Sequence, residues 1–246
     1  MTQRTAHEPG SVTFGHPKGN SLPGALLAEL AARITALGQE PGARVIVLRS
    51  EGAGAFCAGA SFAELSAIAD VESGTRFFMG FANLINAMRT CPKLIVARVH
   101  GKVVGGGVGM VAASDYALAT TAAQVKLSEL AVGIGPFVVG PVIERRIGVG
   151  NYAALGIDAV EWRSAEWAHQ RGLYAELQQD GAALDARLAT LARQLAASNP
   201  EAMTAMKRVF WQGTERWPEL LAERARMSGT LVVSGFARKA IERLSN

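Results

Sequence analysis

The sequence predicts an α/β fold. Short β-branched runs alternate with stretches of helical periodicity in the first half, while the second half reads as mainly helical. Such alternation argues for an α/β architecture. Apolar residues make up 49% of the 246-residue chain and charged residues only 19%. That balance excludes a disordered chain and provides for a large core. The length allows one large domain, or one domain with an appendage.

Each element follows from its spacing. Leu27, Leu30, Ile34 and Leu37 recur at helical intervals, and the compact run Val45-Ile46-Val47-Leu48 that follows reads as a buried strand. Phe77, Phe78, Phe81, Leu84, Ile85 and Met88 predict a second helix, closed at Cys91-Pro92 because the residue before proline disfavours helical backbone. Leu94-Ile95-Val96-Ala97 is the next strand. From about residue 138 the pattern is helical, punctuated by Gly148, Gly172 and Gly181. Ala182–Ser198 is rich in strong helix formers, and Asn199-Pro200 breaks it. A boundary is expected near residue 190, dividing a core (1–190) from a helical C-terminal region (191–246).

Several function classes are excluded or weakened. The net charge of +4 is too small for a dedicated nucleic-acid binder. Residues 201–246 nonetheless carry eight Lys/Arg against five Asp/Glu, so most of that excess sits on the C-terminal helices. This is either a solvated face or a site for an anion such as a phosphate. Cys57 and Cys91 make no disulfide framework, and His7, His16, His100 and His169 are too scattered for a metal site. Met1–Glu8 contains no apolar leader segment, and the uncharged stretch between Glu129 and Glu144 is too short to span a bilayer. A cytoplasmic protein is expected, without membrane or nucleic-acid partners. Gly148-Val149-Gly150-Asn151-Tyr152-Ala153 fits a dinucleotide-binding pattern but follows a charged helical segment rather than a strand, which argues against that use.

The chain contains 27 glycines, and they cluster. Ala55–Ser61 and Val103–Gly109 each place small residues just beyond a predicted strand. Small residues there let backbone N–H groups face a ligand, and two such groups could converge on one oxygen as an oxyanion hole. Close helix–strand packing is the alternative. Glu129 is the one acidic residue between Asp115 and Glu144, in a mostly apolar segment. A carboxylate in an apolar wall holds its proton more tightly and serves as a proton carrier; a solvated loop glutamate is the alternative.

Taken in order, these segments resemble the enoyl-CoA hydratase/isomerase (crotonase) family over nearly the whole chain. Val12–Leu22 looks like the family's opening strand, turn and helix. Phe56-Cys57-Ala58-Gly59-Ala60-Ser61 is similar to its F-x-A-G-x-D segment, with Ser61 in place of Asp. Gly101–Gly107 resembles its glycine turn, and Leu127-Ser128-Glu129 with Gly133 and Pro136 its second acidic loop. Arg163–Leu173 resembles its A-x-x-A-x-x-x-G-L segment. The resemblance implies a spiral of ββα units, a helical C-terminal region that forms a homotrimer or a dimer of trimers, and an acyl-CoA thioester substrate. Coenzyme A would enter as part of that substrate, with no separate cofactor and no metal. It implies oxyanion donors at Ala60 and Gly106, a proton carrier at Glu129, and substrate contacts at Ala58, Gly105, Gly109, Pro136 and Phe137. Lys207 and Phe210 are expected to hold the phosphates and adenine of coenzyme A.

One departure bears on the chemistry. Hydratases of the family carry a glutamate at the position of Gly109 and a second at that of Glu129, and the pair orients one water. With Gly109 the pair is incomplete. A single carboxylate shuttles a proton between two carbons, so double-bond isomerisation is the expected reaction, and the missing side chain is expected to leave room for a bulkier acyl group. Hydration or dehydration with Glu51, Glu64 or Asp70 standing in, thioester decarboxylation on a free or carrier-bound acyl group, and a non-catalytic acyl-CoA-binding scaffold are the alternatives.

Overall fold

Parallel pairing of the apolar runs builds the frame. In the computed structural model, which describes residues 9–245, strands β1 (Gly10–Phe14), β2 (Ile46–Ser50), β3 (Ile95–Val99), β5 (Tyr116–Thr120) and β7 (Glu176–Gln178) lie side by side in that order, all parallel. Met1–Glu8, read for a leader segment, fall outside the described residues. A second, smaller sheet pairs β4 (Val103–Val104) with β6 (Val125–Lys126). Single bridges Leu22–Ala60, Cys57–Val103 and Val125–Arg163 continue it on both sides. Successive passes of the chain thus give one strand to the large sheet, one short segment to the small sheet, and then a helix. This is the expected ββα spiral.

The strands read as continuous apolar runs because both faces are covered. Ile46, Leu48, Ile95 and Ala97 point into the main core with α1 (Gly24–Gln39) and α3 (Val71–Thr90). Val45, Val47, Leu94 and Val96 point the other way, onto Leu184, Leu188 and Ala192 of α8 (Gly181–Ala197). Both predicted strands and all three predicted helices are present, each within a few residues of its expected limits. Cys91 closes α3, and Asn199 caps α9 (Pro200–Phe210) by accepting from the N–H groups of Glu201 and Ala202. Residue 190 lies inside α8, so the expected boundary cuts a continuous helix that packs on β3, β5 and β7. The helical second half is interrupted by β7, a three-residue edge strand of mainly polar sequence that periodicity could not reveal.

Two contacts position the site. α10 (Trp217–Val232) crosses α3 closely: a Cβ on Gly74 would lie 3.0 Å from the Cα of Gly229. α11 (Gly235–Ser245) packs against both α2 (Phe62–Ala67) and the 3-10 turn Leu130–Val132, joining the two segments that flank the pocket. Gly148 links α5 (Gly140–Ile147) to α6 (Val149–Ile157), helix to helix, so the dinucleotide-like pattern follows no strand. Among the described residues no helix is long and apolar enough to cross a membrane.

Candidate active site

The site begins with two short backbone segments of the small sheet. Between Cys57 and Ser61 the N–H groups are tied down one after another: Cys57 to Lys102 O (3.2 Å), Ala58 to Gly19 O (3.0 Å), Gly59 to Cys57 Sγ (3.4 Å) and Ser61 to Leu22 O (3.3 Å). Ala60 is passed over. In the second segment Val104 donates to Cys57 O and Gly105 to Lys126 O, both at 2.9 Å. Gly106 opens α4 (Gly106–Ala113), where a helix start leaves its first N–H groups unpaired. Among the described residues no acceptor takes the N–H of Ala60 or of Gly106, and both residues line one pocket. Left-handed backbone at Gly59 (φ +87°) and Gly105 (φ +52°) turns the chain at each donor. A side chain at Gly59 would meet Val104 O at 3.1 Å, and one at Gly105 would meet Glu129 Oε1 at 3.0 Å. Glycine is needed at both. The partial positive charge at the start of α4 favours a developing anion there.

Glu129 lies beside these donors. The N–H groups of Val132 and Ile134 fold back onto its carbonyl, at 3.2 and 2.9 Å, and fix the loop that carries it. Oε2 is sealed from solvent and has no hydrogen-bond partner among the described residues. This burial pushes the carboxyl up to about 7. Among the described residues that line the pocket Glu129 is the one charged side chain. The rest is largely apolar, with Leu65, Phe78, Phe81, Val132 and Val138 prominent around about 630 Å³ of empty space, the open mouth included.

Gly109 does not open into that space. It is fully buried in α4, and a Cβ placed on it would lie 2.6 Å from the Cβ of Val139. Val139, at the start of α5, occupies the volume a side chain at 109 would need. The expected extra room for a bulky acyl group is therefore absent, and Gly109 itself does not line the pocket. Ala58 lies exposed at the rim, and Gly105, Pro136 and Phe137 line the wall.

The family model for enoyl-CoA hydratase/isomerase matches residues 9–241. The chain belongs to that family. A mitochondrial 3-hydroxyisobutyryl-CoA hydrolase from Gallus gallus is 31% identical over 71% of this chain and 48% of that protein. A mitochondrial methylglutaconyl-CoA hydratase from Homo sapiens is 30% identical over 80% of this chain and 58% of that protein. The chain thus spans about half the length of these relatives. The crystal structure of an enoyl-CoA hydratase from Bacillus halodurans superposes with a TM-score of 0.87 at 22% identity, covering 95% of each chain, and shares the crotonase fold.

Within that fold two expected contacts move elsewhere. Lys207 is 2% exposed, with its ammonium 2.8 Å from Asp115 and also donating to Lys93 O. A lysine buried this deeply, with two of its three donors committed, is withdrawn from a coenzyme A phosphate bound at the surface of its own chain. Phe210 is half exposed and lines a separate cavity with Arg145, Arg146 and Trp211. The candidate stand-ins for the missing glutamate also lie outside the pocket. Glu64 accepts from the N–H of Gly24 (2.8 Å), Asp70 caps α3, and Glu51 packs against Gly15.

Several lining residues escaped the sequence reading of the site, and three of them shape it most. Phe81 appeared only as a core position, yet its ring packs where a side chain on Gly106 would go, with Cδ1 2.8 Å from that point. Val139 left no sequence signal. Ser228 did: Trp217, Leu221, Ala225, Ser228 and Val232 form the buried stripe of α10, and a hydroxyl on that stripe is out of place.

Proposed function

We propose that this chain is an acyl-CoA isomerase that moves the double bond of an enoyl thioester. The observation that carries the reading is the single carboxylate of the pocket, with Val139 filling the volume where a second would stand. The thioester oxygen accepts from the N–H groups of Ala60 and Gly106, which hold the negative charge of the dienolate. Glu129, as the carboxylate, takes a proton from the α carbon and returns it to the γ carbon. The proton count is unchanged over the cycle, no water is consumed, and no cofactor is needed beyond the coenzyme A of the substrate. A carboxyl near 7 suits both halves of this exchange at neutral pH.

Turnover of a 3-enoyl-CoA in water enriched in oxygen-18 tests the reading. The 2-enoyl product is expected without label, and Glu129→Gln is expected to lose about 10²–10⁴-fold in kcat. Labelled 3-hydroxyacyl product, or normal turnover by Glu129→Gln, would refute it. Hydration is the second reading, favoured by the hydratase among the relatives; it requires a water-holding group that none of Glu51, Glu64 and Asp70 supplies from its present position. Exposed apolar side chains on α6 (Val149, Ile157) and α9 (Met206, Val209, Phe210) support assembly in threes or sixes, in which Phe210 would be free to meet a neighbour's ligand. Light scattering on the purified chain reads that assembly directly.

A further inference from the structure

Ser228 is 1% exposed, yet it lines the pocket and no hydrogen bond to its hydroxyl is found among the described residues. Unlike Ser50 Oγ, its hydroxyl is not sealed off, so the little surface it keeps faces the pocket, where a ligand group would meet a hydroxyl with no other partner. The common escape for a helical serine is its own i−4 carbonyl, as Ser114 uses with Met110 O at 3.2 Å, and Ser228 does not take it. Its place in the pocket follows from the crossing of α3 and α10. Phe81 packs on Gly106 at the oxyanion end, while Gly74, seven residues earlier on the same helix, touches Gly229 beside Ser228. Seven residues of helix span about 10 Å. Ser228 therefore lies toward the Gly74 end of α3, displaced along the pocket from the oxyanion end where Phe81 meets Gly106, and it is there that the remote end of an acyl chain would reach.

We infer that Ser228 selects acyl chains carrying a neutral oxygen, a ketone or a hydroxyl, at the end remote from the thioester. A serine hydroxyl both donates and accepts, so it pairs with either group. Among the described residues no cation lines the pocket, so a remote carboxylate would be buried without a counter-charge and is disfavoured. The inference rests on the acyl-CoA reading of the site but not on isomerisation.

Binding of saturated, unreactive acyl-CoA thioesters tests it apart from catalysis. Two probes of matched length are compared by calorimetry, one ending in a methyl ketone and one in plain alkyl, on the wild-type chain and on Ser228→Ala. The wild type is expected to bind the ketone about tenfold more tightly than the alkyl chain, the worth of one neutral hydrogen bond. Ser228→Ala is expected to lose that preference while keeping or improving its affinity for the alkyl probe. Equal binding of the two probes by the wild type, or an equal loss on both in the variant, would overturn the assignment. The wild-type ratio alone decides the matter if the variant does not fold. A preserved ratio without turnover of any 3-enoyl-CoA would overturn isomerisation and leave Ser228 in its role; failure of both probes to bind would overturn the acyl-CoA reading itself.

Discussion

The volume shared by Gly109 and Val139 makes a double-mutant cycle with a calculable outcome. A methyl at 109 would stand 2.6 Å from Val139 Cβ, closer than real Cβ contacts allow, so Gly109→Ala must push α5 or α4. Overpacking of that kind costs about 1–3 kcal/mol, offset by about 1 kcal/mol from removing glycine from a helix interior. The single change should therefore cost up to about 2 kcal/mol. Truncating Val139 to alanine would leave the offending Cβ in place, so the relieving partner is Val139→Gly, which leaves only the Cα, at 3.5 Å. Position 139 is the N-cap of α5, where glycine is well tolerated, but the lost side chain still costs about 3 kcal/mol in transfer and cavity terms. In the double variant the new methyl enters the vacated volume. Urea unfolding of the four proteins should then show the pair about 1–3 kcal/mol more stable than the sum of the singles. Additivity within about 0.5 kcal/mol would refute the claim that one side chain occupies the other's place.

Other consequences follow from the same geometry. Because burial raises the Glu129 carboxyl to about 7, ionising it costs the folded state stability on the order of 3 kcal/mol, absent below the usual carboxylate range and fully felt above pH 7. Glu129→Gln should therefore raise stability at pH 8 more than at pH 5, and wild-type kcat/KM should climb toward a plateau above pH 7; a flat profile from pH 5 to 8 would contradict both. Lys207→Met strands the buried carboxylate of Asp115 and should cost about 3–5 kcal/mol in urea unfolding, while KM for an acyl-CoA stays put in the variant that folds. Gly106→Ala should lower kcat about 10²-fold or more, since its methyl displaces Phe81 or the donor N–H; unchanged kcat would remove Gly106 from the oxyanion hole.

What could be read in the sequence was whatever a single segment encodes. The runs at 45–48 and 94–97 are legible because parallel strands covered on both faces are apolar throughout. The helix over Phe77–Met88 is legible because one face repeats. β4 and β6 span two residues each, and β5 is largely Ala and Thr, so none presents a pattern long enough to register. Glu129 stood out as an isolated carboxylate in apolar surroundings. Lys207 was misjudged, although the signal against it was available. Met203, Lys207 and Trp211 follow one another at four-residue intervals, so the lysine belongs to the buried stripe of α9 and not to its basic face. The role of Val139 had no local signal at all, because it depends on how α5 docks on α4.

The same desolvation that weakens Glu129 as an acid also decides what it can act on. A hydratase must keep one ordered water between two carboxylates, and each carboxylate added to an apolar wall needs that water, or a donor, to be stable there. Here Oε2 of Glu129 has no hydrogen-bond partner among the described residues, and the volume beside Gly109 is filled by Val139. A carboxyl at about 7 is present as both acid and base near neutral pH, and under the proposed reaction its partners would be the α and γ carbons of an enoyl thioester whose oxygen accepts from the N–H groups of Ala60 and Gly106. Restoring a second carboxylate at 109 would require removing Val139, adding a second charge beside Glu129 and admitting a water. These three changes are coupled through one pocket, so under the proposed isomerisation a single substitution at 109 is not expected to confer hydration.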